Sequence, residues 1–129
     1  MVSESGTTPA RPAGMADTRF DADALIAEFG DEGLVAELAE ILLAHADEQI
    51  GAVHTAIATG NAGALKSAAH KIKGGVGTFG AAPVTNLAMA LEALGREERL
   101  VEAPPLAARL DSEMKALCDG ARLWLSARA

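Results

Sequence analysis

Tyrosine is absent from this chain of 129 residues, and only three phenylalanines and one tryptophan supply aromatic rings. A core must therefore be assembled from Ala, Leu, Ile, Val and Met, a palette that favours helix. β-Branched residues never fall into the alternating runs that a half-buried strand requires, so the chain reads as all-α. A single cysteine, Cys118, excludes an internal disulfide framework and a cysteine-based zinc cluster, and a small core position is its expected place. No metal site is expected. Basic side chains are outnumbered 18 to 11, for a formal charge of −7. That balance argues against nucleic acid as the main partner, because phosphate backbones are bound through clustered Lys and Arg. No stretch approaches the roughly 20 apolar residues of a membrane span. The opening segment, MVSESGTTPARPAGMADTR, lacks the apolar stretch of a secretory signal. A cytoplasmic protein without a membrane partner is the expectation.

Residues 1–19 are rich in Gly, Pro, Ser and Thr without apolar periodicity, which predicts a disordered tail ahead of one domain over 20–129. Asp21 or Asp23 is placed to cap a short helix carrying Leu25, Ile26 and Phe29, with Gly30 ending it. Residues 31–59 then place Leu34, Leu38, Ile41, Leu42, Ala46, Ile50, Val53 and Ile57 three and four apart, the signature of one long amphipathic helix. Gly60 followed by Asn61 reads as a helix stop and a new N-cap. A third helix is predicted from 62 to about 79, with Leu65, Ala68, Ala69, Ile72, Val76 and Phe79 on its buried stripe. Pro83 suits the first turn of a fourth helix bearing Leu87, Ala90, Leu91 and Leu94 before Gly95. After the charged 96–99 segment, a fifth runs from 105 to about 126 with Leu106, Leu110, Met114, Leu117, Ala121, Trp124 and Leu125. Four long helices and one short N-terminal helix predict an antiparallel four-helix bundle and a monomer.

On the third helix His70 points about 160° from Ile72 and about 140° from Leu65, away from the core stripe. Its neighbours on that face are Lys66, Ser67, Lys73, Gly74 and Gly77, with Lys71 adjacent. Three of the chain's four lysines thus crowd one exposed imidazole in an otherwise acidic protein. An ordinary imidazole is largely neutral at cellular pH, so its lone pair is free to attack phosphorus. Lys66, Lys71 and Lys73 would offset the two negative charges that a phosphoryl group brings. Exposed helical glycines cost about 1 kcal/mol each relative to Ala, a cost that close access by a partner to His70 past Gly74, Gly77 and Ser67 would explain.

The run AHKIKGGVGTFGA, residues 69–81, resembles the motif of histidine-containing phosphotransfer (HPt) domains: a helical His, a Lys three residues on, a Gly at the fourth and a second Gly farther along. His70, Lys73, Gly74 and Gly80 match it, and Gly60, Asn61 and Leu65 resemble the family's turn into this helix. Gly75, Val76 and Gly77 stand where small hydroxyl residues are common in the family. The resemblance implies that His70 is the phosphoacceptor, at the ring nitrogen far from the backbone, with Lys73 and Gly74 shaping its surroundings. It also implies a phosphocarrier rather than an enzyme, without a cofactor of its own. The partner would be a receiver domain of a response regulator or hybrid kinase, which supplies the aspartate and Mg²⁺, with a histidine kinase as a further partner. The competing reading is a helical adaptor that binds such a partner without being phosphorylated.

Two other features carry less. Residues 75–80 fit G-x-G-x-x-G, but a dinucleotide site needs a strand before it, whereas the preceding segment is patterned as helix. His45 and His54 lie nine residues apart, about 13 Å along a helix, too far to share a metal ion.

Overall fold

The computed structural model describes residues 20–128, and the expected tail at 1–19 lies outside them. Five α-helices follow in order: α1 (Ala22–Phe29), α2 (Glu32–Ala58), α3 (Ala62–Val76), α4 (Ala82–Arg96) and α5 (Ala103–Arg128). Short 3₁₀ turns, Gly77–Phe79 and Leu100–Glu102, precede α4 and α5. No strand occurs among the described residues, so the fold class is all-α as the composition requires. None of these helices is long and apolar enough to cross a membrane.

The helix starts follow the capping rules. Asp21, Asp31 and Asn61 sit in extended conformation, and their side-chain oxygens accept the backbone N–H of Ala24, Leu34 and Ala64 at 3.0, 3.2 and 2.9 Å. Between α2 and α3 the chain reverses through Gly60, whose φ of +67° would strain any residue with a Cβ. The predicted third helix divides: α3 stops at Val76, and its last turn tightens into a 3₁₀ turn closed by Gly80 at φ +63°.

The four long helices form a ring of contacts. α3 packs on α2 and α4, α5 packs on α2 and α4, and α1 lies against α2. Leu65, Ile72, Leu91, Leu110, Leu117, Val35, Val53, Val76 and Val84 are the largest fully buried side chains. Alanines at 39, 46, 56, 69, 88, 107 and 121 fill the rest and let helices approach closely. Phe20 bridges the end of the α3 segment to α5, with ring centroids 5.9 Å from Phe79 and 5.8 Å from Trp124.

Three expected core residues lie outside the interior: Leu34, Phe29 and, at 56% exposure, Ile41. On α2 the buried stripe is Val35, Ala36, Ala39, Leu42, Ala46, Val53 and Ala56, with Leu38, Ile50 and Ile57 at its margin. Leu34 and Ile41 lie a further step around the helix, beyond what the neighbouring helices cover. Alanines take four of these seven buried positions on α2 beside Val35, Leu42 and Val53, and hydropathy alone does not distinguish them from the exposed aliphatics. Gly95, read as the end of the fourth helix, lies inside α4, which continues to Arg96.

Candidate functional site

α3 carries its apolar stripe, Leu65, Ala69, Ile72 and Val76, into the core, which turns His70 outward. Two-thirds of the His70 side chain is exposed. The glycine-rich segment after it leaves the surface bare: a Cβ built on Gly74, Gly75 or Gly77 meets nothing within 4 Å. None of the three has a positive φ, so neither conformation nor packing demands glycine there. Residues 75–80 form the end of α3 and the 3₁₀ turn, not the strand-to-helix loop of a dinucleotide site.

The residue that completes the site comes from α4. Glu92 is an acidic residue buried among the apolar side chains of α4, its side chain only 10% exposed, and it reaches His70 and Lys73 at once. One carboxylate oxygen, Oε2, lies 2.9 Å from His70 Nδ1, and the other, Oε1, accepts from Lys73 Nζ at 2.8 Å. The Lys73 ammonium first, then the His70 ring, hold the Glu92 carboxyl below the usual carboxylate range against the opposing effect of desolvation. Glu92 is therefore an anion at neutral pH and offers only acceptor oxygens. The nitrogen facing it must carry the ring proton. In the neutral ring this selects the Nδ1–H tautomer, which puts the Nε2 lone pair on the side remote from Glu92.

The lysines divide into two kinds. Lys73 is already paired with Glu92, one helical turn beyond His70. Lys66 and Lys71 are exposed, and together with Ser67, His70 and Glu92 they line one shallow depression. A neighbouring groove between α2 and α3 is lined by His45, Glu48, Gln49 and Ala52 on one side and Ala64, Ser67, Ala68 and Lys71 on the other. His54 belongs to neither: its Nε2 meets both oxygens of Asp111 at 2.8 and 2.9 Å, tying α2 to α5. His45 lies 4.0 Å from Glu48 on its own helix. Among the described residues no group of three or more His, Cys, Asp or Glu is placed to hold a metal ion.

Motif reading singles out His70 and Lys73 and passes over Glu92, which lies 22 residues downstream of His70. A signal was present: Ala88, Glu92 and Gly95 share one buried face of α4, and a carboxylate on such a stripe requires a partner.

A family model of the Hpt domain matches residues 37–120, from within α2 to within α5. No curated protein and no solved structure matches the chain. The family match spans most of the chain and takes in α3, α4 and the His70–Glu92–Lys73 cluster, and on it this chain belongs to the Hpt domain family, whose members are phosphotransfer modules of two-component signalling.

Proposed function

We propose that this protein is a phosphocarrier of a two-component phosphorelay, taking a phosphoryl group from a receiver-domain aspartate onto His70 Nε2 and returning it to another. The observation that carries this reading is the exposed imidazole whose inner nitrogen is hydrogen-bonded to an ionised Glu92, leaving its outer lone pair as the nucleophile. Proton removal is unnecessary before attack, because the proton already resides on Nδ1.

Lys66 and Lys71 border the same depression and would draw in and neutralise the phosphoryl oxygens. Lys73 has a more indirect part: it keeps Glu92 ionised, and its further N–H donors are free to turn to a phosphoryl group. Gly74 and Gly77, with Ser67 on the same face, supply the flat access that an in-line transfer from a bulky partner requires. The partner would contribute the aspartate and its Mg²⁺. This domain contributes the positioned imidazole and needs no cofactor of its own. It works in the cytoplasm as a monomer in this reading.

An antiparallel four-helix bundle with α1 as an additional N-terminal helix is the architecture we assign. Cross-helix pairs support it: moving up α3 from Lys66 to His70 means moving down α4 from Gly95 to Glu92. Likewise Glu32 pairs with Arg128 and His54 with Asp111, opposite directions along α2 and α5.

The test is phosphotransfer from acetyl-phosphate-charged receiver domains to the wild type and to His70→Gln. The wild type should gain acid-labile phosphate and the variant none. Undiminished labelling of His70→Gln would reject His70 as acceptor. Binding to a receiver that survives this substitution, with no labelling of the wild type, would favour the adaptor reading.

A further inference from the structure

Positive charge is spread unevenly over this acidic chain. Among the described residues Arg99, Lys115, Arg122 and Arg128 each lie within 3.2 Å of a carboxylate oxygen, and Lys73 is held by Glu92. Lys66, Lys71, Arg96 and Arg109 have no carboxylate at ion-pair distance. Three of these four uncompensated cations share one crest. Lys66 and Lys71 border the depression at His70. Arg96 approaches from α4: it follows Glu92 by four residues, one turn farther along the same side of the helix, and its neighbour Gly95 lies against the Lys66 backbone.

We propose that Lys66, Lys71 and Arg96 form an electrostatic docking edge that selects receiver domains bearing acidic side chains beside the phosphorylatable aspartate, with Arg96 as its specificity-determining residue. This inference rests on His70 exchanging its phosphoryl group with a receiver.

The acids nearby do not cancel this edge. Glu92, the acid nearest His70, is neutralised by Lys73, and Glu97, next to Arg96, is engaged by Arg99. From α2, Glu48 lines the groove beside Lys71 and stands 4.0 Å from His45, and Glu98 is exposed in the turn after α4. Three free cations thus face two acids, while the chain as a whole carries −7. Repulsion opposes an acidic partner over the rest of the surface and turns to attraction here. The partner is acidic at the matching place, because carboxylates are what hold Mg²⁺ beside its aspartate.

Arg96 separates docking from chemistry. Lys66 and Lys71 lie within a turn of His70 and can meet the phosphoryl group itself, whereas Arg96 is exposed and does not line the His70 depression. Its guanidinium is placed to meet what surrounds the partner's aspartate. Charges at such a rim act on the rate of encounter, and salt screens them over about 8 Å at physiological ionic strength.

The test follows transfer to the full chain from an acetyl-phosphate-charged receiver with acidic residues around its aspartate, at roughly 50 and 500 mM salt. Arg96→Glu should lower kcat/KM about tenfold at the lower salt and less than about twofold at the higher, through KM rather than kcat. Arg96→Lys, which keeps the charge and changes the shape, should stay within about twofold of wild type at both. Changing the receiver's surrounding acids to amides should remove the penalty. Equal kcat/KM for wild type and Arg96→Glu at the lower salt would overturn the proposal. So would a deficit that the higher salt leaves in place, which is what a packing defect would give. Should Arg96→Glu lose its helical circular dichroism, the wild type still decides: its kcat/KM with the acidic receiver must fall at least about tenfold between the two salts, and a flat dependence would refute the docking edge. Labelling of His70 by phosphoramidate without transfer from any receiver would overturn the edge and spare the acceptor. Labelling of the wild type no greater than that of His70→Gln with either donor would overturn both.

Discussion

Gly95 of α4 lies directly against the backbone of Lys66 in α3: a Cβ built on Gly95 would stand 2.6 Å from the Lys66 nitrogen and 2.8 Å from the Ala62 carbonyl oxygen. One turn along the same interface, Glu92 meets His70. The missing side chain therefore sets the helix separation at which a carboxylate from α4 reaches an imidazole on α3. Because the obstructing atoms are backbone, Gly95→Ala must push the helices apart. We expect a loss of about 1–3 kcal/mol in urea unfolding, together with a weaker His70–Glu92 contact read from the ring ¹⁵N shifts. Unchanged stability and shifts would show that the interface yields without cost.

The bare face around His70 predicts opposite effects on stability and function. Gly74→Ala fits open space in a helix, so it should stabilise the fold by about 0.5–1 kcal/mol. Gly74→Glu should keep a helical circular dichroism spectrum while slowing transfer from a receiver domain, by bulk and by repulsion of the phosphoryl group. Normal transfer kinetics in the folded Glu variant would exclude the glycine patch as the contact surface.

Acid should weaken the fold partly through Glu92. Its folded-state pKa is lowered below the ordinary 4.5, so its contribution is fully present above that value and disappears as pH falls through the folded-state value. Urea midpoints measured from pH 7 down to pH 3 should show a constant gap between wild type and Glu92→Gln at the upper end, narrowing below about 4.5. Asp119, lowered mainly by its hydrogen bond from Lys115, acts in the same direction from α5. A gap that widens on acidification would contradict the assignment of Glu92 as an anion in the folded state.

Cys118 is 5% exposed, and burial pushes its thiol pKa up. The thiolate is the reactive form, so alkylation by iodoacetamide at pH 8 should be more than about tenfold slower in the native protein than in urea. Equal rates would mean that α5 opens readily at this position.

Helix and turn positions were legible locally. Asp21 and Asn61 cap because their short side chains reach their own helix's free N–H groups, and Gly60 accepts positive φ, so neighbours in the chain suffice to specify them. Exposure of His70 was legible too, as a consequence of the helical period and the Leu65–Ile72 stripe. Burial on α2 was less so, because whether Ile41 or Ala39 faces inward depends on how closely α3 and α5 approach.

The family motif and the acceptor candidate were thus determined by the sequence alone, since they reside in one short run on a single helix. Only the tertiary structure decided what holds that candidate: Glu92 belongs to another helix, and no local pattern states which buried face meets which. Helix packing, governed by small residues such as Gly95, turns a lone acid and a distant imidazole into hydrogen-bonded partners. That pairing selects the ring tautomer, because a carboxylate offers only acceptors and so leaves the proton on the nitrogen it touches.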